Sequence, residues 1–522
     1  MKLKLSCLFL FIAIFFKINV SAQPEMDATF NATGKKLLQF ASLSTAEDVA
    51  VQPDNKIVMV GGCNHISFGF FPICLVRLNE DGSYDNTFGS NNFGYALTNI
   101  PGGNGTGGGE EIALQSDGKI VVAGWTGYWN EETTFVARYN ANGTLDTSFG
   151  TDGFVKTVVN GSSRPREAII QPDGKIVIVG FCGNSTNQRQ FVARYLPNGA
   201  LDDSFGQAGI VRVDTAGNNA AGSSIGLQAD GKIVTGGSVW TPAGAPVPSG
   251  SLLLTRLNAD GSLDASFDED GFKTIVFGTS SAFFNGIVAL AVQADARILA
   301  VTFTNLLYRF NADGSLDTSF DEDGSRVALT GTATPYDLTV STSGKITVVG
   351  VPAYNGSNYL ELQFRVSRYL PNGAPDTSFS DDGFLNIEVA ASRQDAAHAA
   401  ALDSFGRSVV TGFSATGVGP NPWEWGQMSI VRLVAPRVQS VGFSGRVSDT
   451  DGRAVASASV TLTDAAGTTY TGRTNPFGYF RLTNVPTAQT YTLSARAKGL
   501  NFHDRRVLVD DTVTNFLIVG AQ

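Results

Sequence analysis

Seven times along this chain one phrase returns, and its last copy is completed by residues from the opposite end. The first half runs into Gln-x-Asp-Gly-Lys and an apolar stretch: LQSDGKIVVAG at 114–124, IQPDGKIVIVG at 170–180 and LQADGKIVTGG at 227–237. Degraded copies centre on Lys56, Arg297, Lys345 and Arg407. The second half is Arg-x-x-x-[Asp/Asn]-Gly-x-x-Asp-x-x-Phe, as in RYNANGTLDTSF at 138–149, and it starts again at Arg77, Arg194, Arg256, Arg309 and Arg368. A seventh arginine, Arg432, opens this half, but no Asp-x-x-Phe follows it; that fragment stands alone at Asp27–Phe30. A ring accounts for the displacement, and an open stack does not.

The repeat averages about 58 residues, a period of stacked supersecondary units. Four strand signals recur within each unit; in the second they are 111–115, 119–124, 134–140 and 154–159, rich in Val, Ile, Phe or Thr and bounded by Gly, Asn or Asp. The Asp-Gly between the first two marks a tight hairpin turn, since Gly accepts the positive φ required there. In the fifth copy Ala296 replaces that Gly. A four-stranded apolar sheet cannot cover both its faces alone. Packing units face to face around an axis gives a β-propeller, whereas a solenoid leaves two raw ends. The split copy selects a closed seven-bladed propeller over 23–433, with 35–40 as the outer strand of the blade built from 397–433.

Each copy pairs one arginine with one aspartate: Asp85, Asp146, Asp202, Asp264, Asp317 and Asp376, with the orphan Asp27 expected to meet Arg432. Phe88, Phe149, Phe205, Phe267, Phe320 and Phe379 keep step, and Phe30 makes the seventh. A group needed seven times is read as structural: a charge pair that sets register, with Phe packed between blades.

The Gln-x-Asp-Gly-Lys-Ile-Val and Arg-Tyr-x-x-Asn-Gly-x-Leu-Asp-x-Ser-Phe-Gly phrases resemble the delta-60 repeat family of exported bacterial proteins, over about 26–433. The resemblance implies repeated propeller-like β units and no particular activity. After a linker at 434–439 the text changes. Gly445-Arg-Val447, Asp451-Gly452, Ala458-Ser-Val460, Gly478-Tyr-Phe480, Val485-Pro486 and Tyr491–Ala495 alternate apolar residues between Gly-rich turns, which argues for a small β-sandwich. Residues 440–522 are similar to the carboxypeptidase regulatory-like domain, whose members adopt a transthyretin-like sandwich and resemble accessory modules. His503 is its only histidine and it contains no Cys, so no zinc-ligand set is present.

Met1–Ala22 reads as a signal peptide: Lys2 and Lys4, an apolar run from Leu5 to Phe16, then Val20-Ser21-Ala22 before a cut at Gln23. The mature chain is expected to be secreted, soluble and monomeric, with no transmembrane segment. Losing Lys2, Lys4 and Lys17 takes the formal charge from −10 to −13, an acidity that excludes nucleic acid as a natural partner. Cys63 and Cys74 flank one loop and are either a bridge or two buried thiols; Cys182 stays free.

Signals of chemistry are thin. His65, His398 and His503 lie far apart, and no HExxH, nucleophile elbow, P-loop or CxxCH occurs. FDEDG at 267–271 and 320–324, and FSDDG at 379–383, offer hard oxygen ligands to calcium, although turn chemistry alone explains their acids. Trp125, Trp129, Trp240, Trp423 and Trp425 are all expected in loops joining second to third strands, on one face of the ring. There they either offer indoles to a ligand or cover blade ends. The reading that follows is a non-enzymatic secreted protein presenting this face to a glycan or protein ligand. The alternative is an exported carboxylate-based hydrolase or lyase acting on polysaccharide; a quinone- or haem-bearing oxidoreductase lacks any cofactor signature.

Overall fold

A computed structural model describes residues 26–520 except 39–42, 65–71, 91, 103–106, 129, 185, 216, 242–249, 277–285, 353–362, 381, 391–393, 416–425, 434–440, 465–466, 487–488 and 510–512. The leader and the linker therefore lie outside the described residues. Those described form an all-β chain, with no helix long and apolar enough to cross a membrane among them.

Seven antiparallel sheets form the propeller. In blade 2 the strands are Gly107–Leu114, Ile120–Thr126, Thr133–Tyr139 and Phe154–Thr157, paired in chain order from inside to outside. Blades 3 to 6 repeat this order between Ser163 and Ile387; blade 1, from Leu43 to Thr98, adds a two-residue strand at its inner edge. First strands of consecutive blades touch all the way round, blade 7 against blade 1 included, so the ring is closed. Second and third strands are buried on both faces and read as continuous apolar runs such as Ile120–Ala123; each face meets a neighbouring blade. Outer strands such as Lys35–Leu37 are half-buried and polar.

The seventh blade is assembled from both ends of the propeller. Gln394–Leu402, Ser408–Ala415 and Gly426–Leu433 take Lys35–Leu37 as outer strand, with Lys35 opposite Val431 and Leu37 opposite Ser429. Met26 bridges Leu433, and Asp27 N–H donates to Arg432 C=O at 3.0 Å. The orphan pair meets as the repeat requires: Arg432 Nε lies 2.7 Å from Asp27 Oδ2, and its guanidinium is 5.0 Å from the Phe30 ring centre.

Both halves of the repeated phrase converge on the same aspartate. In blade 2, Lys119 and Arg138 approach Asp146 Oδ2 at 3.3 and 2.7 Å, while Arg138 also donates to Pro197 C=O in blade 3. The aromatic ring reaches the same neighbour. A Cβ added to Gly143 of blade 2 would lie 2.7 Å from Phe88 of blade 1, and Gly143 sits at φ +81°, so the turn demands Gly twice over. The remaining phrase residues are thus a seam between blades, and at the last seam Phe30 packs against Gly82.

The C-terminal sandwich packs Gly-rich, alternating strands as two sheets. Tyr479–Val485, Val441–Asp449 and Val513–Gly520 form one; Thr469–Arg473, Ser459–Thr463, Gln489–Arg496 and Arg505–Val509 form the other. Phe443, Val447, Val460, Leu462, Phe480, Leu482 and Tyr491 fill the space between them.

Candidate functional site

Inner strands of blades 2 to 7 each carry a one-residue bulge. Register skips from Gly109 to Glu111, Pro165 to Glu167, Gly222 to Ser224, Ile287 to Ala289, Pro335 to Asp337 and Ala397 to Ala399. The extra residues are Glu110, Arg166, Ser223, Val288, Tyr336 and His398, and Glu47 holds the same offset in blade 1. A bulge turns its extra side chain out of the ladder. Here the second strand makes room for it. A Cβ on Gly124 would lie 2.1 Å from Gly108 C=O, and one on Gly412 would lie 1.8 Å from Ala396 C=O, so the apolar run of the repeat ends in Gly.

Six of these seven positions, Glu47, Arg166, Ser223, Val288, Tyr336 and His398, line one cavity of about 340 Å³ with Phe181, Phe303, Ser238 and Glu111. It is the mouth of the central channel. Along its rim, between neighbouring blades, His398 Nδ1 stands 3.4 Å from Glu47 Oε2, and the His398 ring lies 5.1 Å from Tyr336 and 5.4 Å from Phe413 of its own blade. Burial pushes the Glu47 carboxyl up. His398, the Thr45 hydroxyl at 2.7 Å and the charge of Arg166 more than offset this, holding it down at about 2. Arg166 pairs with Glu110 at 3.2 Å and lies 5.4 Å over the Phe181 ring.

One residue further along the inner strands is a layer of acids. Asp48 Oδ2 accepts from Ile112 N–H at 2.9 Å, Glu167 Oε2 from Ile225 N–H at 2.8 Å, and Asp337 Oδ2 from Ala400 N–H at 2.8 Å, each reaching the next blade. Ser224 Oγ does the same for Leu290 N–H at 2.8 Å. Burial raises Asp48 to about 6, Asp337 to about 7 and Glu167 to about 8. Glu111 is raised well above the carboxylate range by burial and by the neighbouring charges of Asp48, Glu167, Glu110 and Asp337. Chemically the mouth offers aromatic faces, a His–carboxylate pair, a guanidinium and proton-holding carboxyls below.

Of the tryptophans read as loop residues, Trp125 and Trp240 are strand residues. Trp125 pairs with Gly108 and Thr134; Trp240 ends its strand opposite Asn219 and Gly250. Ladder pairing continues past the apolar run, so those strands are longer than their Val/Ile content suggests. Trp125 belongs to the rim: its Nε1 donates to Glu110, and Arg164 stacks 3.7 Å from its ring centre. Trp240 lines a separate cavity of about 360 Å³ with Asp214, Asn218, Ser251 and Phe272. Trp129, Trp423 and Trp425 lie outside the described residues.

Cys63 and Cys74 are joined as a disulfide with a Cα–Cα distance of 6.0 Å, and Cys182 is free and buried. The FDEDG acids serve their own turns: Asp270 accepts from Phe272 N–H at 2.9 Å, Asp323 from Ser325 N–H at 2.8 Å, and Asp268 pairs with Lys273 at 2.9 Å. Among the described residues no three His, Cys, Asp or Glu side chains are grouped to hold a metal ion.

The mouth carries no recurring motif, because its residues differ from blade to blade. A signal existed in the spacing: eight residues before the turn Lys or Arg stand Asp48, Glu111, Glu167, Ser224, Ala289, Asp337 and Ala399. Four acids in seven is too many for a position on an apolar strand.

The chain carries six matches to the family described as a β-propeller domain of unknown function, DUF5122, at 52–88, 115–149, 171–205, 228–267, 293–320 and 342–379. The carboxypeptidase regulatory-like domain matches 442–517. A comparison with curated proteins finds no match. Among solved structures, polysaccharide lyase Uly1 is similar at 12% identity and a TM-score of 0.43, over 76% of this chain and 90% of that one. The α-L-arabinanase of Penicillium chrysogenum complexed with arabinobiose is similar at 11% identity and 0.40, over 64% and 95%. YCF48 bound to D1 peptide is similar at 8% identity and 0.40, over 80% and 99%.

Proposed function

We propose that this propeller is an exported, monomeric, non-enzymatic binding protein that holds a glycan at the mouth of its central channel, with the sandwich as an accessory module. The observation that carries the reading is the bulge position: six blades present six different side chains, Glu47, Arg166, Tyr336 and His398 among them, around one cavity on an otherwise repeated scaffold. Its volume of about 340 Å³ falls at the lower end of the roughly 300–1,000 Å³ typical of small-ligand sites. Tyr336 and Phe303 are partly exposed there, which gives flat apolar area beside charged hydrogen-bonding groups, as sugar rings require. Trp125 extends the same rim. The leader at 1–22 supports export.

The test is a glycan array followed by calorimetry with the best oligosaccharide. Tyr336→Ala and His398→Ala, which alter the mouth and leave the seams intact, should each weaken binding by about tenfold or more (~1.4 kcal/mol). Binding indifferent to both substitutions would remove the mouth as the site; binding of peptides alone would replace the ligand class.

A second reading has one observation behind it. His398 beside Glu47 and Tyr336 is an acid–base set within reach of a bound ligand. On this reading the chain is a hydrolase or lyase of polysaccharide, and new chain ends should accumulate with wild-type protein and fail to do so with His398→Ala.

A further inference from the structure

We infer that the outward face of the four-stranded sheet in the C-terminal sandwich is a docking surface for an acidic glycan chain, one bearing carboxylate or sulfate groups. The register of that sheet sorts its residues cleanly. Arg473, Ser459 and Arg496 lie in one cross-strand row; Thr471, Thr461 and Ser494 in the next; Thr469, Thr463, Thr492 and Arg506 in the third. The alternate residues Val460, Leu462, Tyr491, Leu493 and Val507 are buried in the core, so these rows face outward, half-buried or exposed. These three rows therefore present hydroxyls and three guanidiniums.

None of the three arginines has a carboxylate within ion-pair distance among the described residues; Asp464, at the end of the second strand of this sheet, accepts from Thr468 N–H at 2.7 Å. Arg473 and Arg496 flank Ser459 from either side, which sets their backbones about 10 Å apart, two strand spacings. Arg506 opposes Thr492, four residues or about 13 Å along the strand from Arg496. Three planar forks at such spacings, on a flat bed of hydroxyls, suit repeated anionic groups on a polyhydroxylated chain.

Charge across the molecule points the same way. Residues 440–522 hold eight Lys or Arg against six Asp or Glu, a net of +2, whereas 23–439 carries −15. An acidic polymer is repelled by the propeller and met by this face, with screening over roughly 8 Å at physiological salt keeping the contact local. Nucleic acid is disfavoured because the face has no aromatic ring for base stacking: Tyr491 is buried, its hydroxyl donates to Pro486 C=O at 2.8 Å, and Tyr470 packs 5.8 Å from it.

The experiment uses the full mature chain on immobilised polygalacturonate and dextran sulfate, with neutral dextran as control. Wild type should be retained at low salt and released as salt rises. The triple variant Arg473→Thr, Arg496→Thr, Arg506→Thr, which preserves strand-forming character, should unfold at the same temperature and lose at least tenfold in affinity. Tyr336→Ala should change nothing here, so failure at this face and failure at the channel mouth are separable. The inference is overturned if wild type is not retained, or if the triple variant binds equally well. Equal or tighter binding to single-stranded DNA, or arginine-dependent self-association without glycan retention, would overturn it too.

Discussion

At the scale of single residues, the repeat shows its physics where a copy breaks the rule. Turn glycines between first and second strands sit at positive φ, such as Gly118 at +84° and Gly174 at +83°. The fifth copy forces Ala296 into the same region at +66°. An L-residue with a Cβ pays steric strain there of roughly 1–2 kcal/mol. Ala296→Gly should therefore raise stability by about 0.5–1 kcal/mol, the gain being reduced by glycine's larger unfolded-state entropy. A higher urea midpoint with an unchanged slope would show it. Gly143→Ala should act oppositely and more strongly, because its Cβ would also strike the Phe88 ring at 2.7 Å.

Among elements, the outer strand and the Asp27–Phe30 turn act as the latch of the ring. Arg432 is almost fully buried, and it meets Asp27, Thr29 Oγ1 and Glu80 C=O. Arg407, standing where five of the other six copies have Lys, reaches Asp27 at 3.1 Å and Glu80 at 2.8 Å. Two cations share one buried aspartate, so Asp27→Ala should cost about 3–5 kcal/mol, the range for stripping one partner from a buried pair. Limited proteolysis should then cut first between Met26 and Leu38; a variant as resistant as wild type would mean that the latch is dispensable. This closure was legible in the sequence because a displaced Asp-x-x-Phe is a pattern of identical residues. The fourfold strand count was legible for the same reason. The bulges were not: their side chains run from Glu to Arg to Tyr, and only the fixed distance to the turn Lys marks them. Strand ends at Trp125 and Trp240 were not legible either, since backbone pairing there continues under residues that read as loop.

For the whole molecule, two sets of carboxyls pull stability in opposite directions with pH. Seam aspartates Asp27, Asp85, Asp146, Asp202, Asp264, Asp317 and Asp376 are lowered: burial opposes ionisation, but Ser or Thr hydroxyls and arginines outweigh it. Their contribution is present above an unfolded value near 4 and is lost as pH falls through their folded values. Channel acids behave in reverse. Asp48, Asp337 and Glu167, at about 6, 7 and 8, and Glu111 above the usual range, keep protons that the unfolded chain has released. Their contribution is whole below about pH 4 and is lost as pH rises through 6 to 8. Stability should thus peak near pH 4, where the seam aspartates are ionised and the unfolded chain has only begun to release the protons that the channel acids keep. Towards neutrality it should decline by ~1.4 kcal/mol per pH unit for each extra proton held by the folded ring. Urea titrations at about pH 5 and about pH 8 measure this directly. Glu111→Gln with Glu167→Gln should flatten the alkaline side and leave the acid side alone, because amides keep hydrogen-bonding capacity without a proton to lose. A wild-type midpoint that climbs from pH 5 to pH 8 would mean that the channel acids are ionised and solvated, with no proton held between the blades.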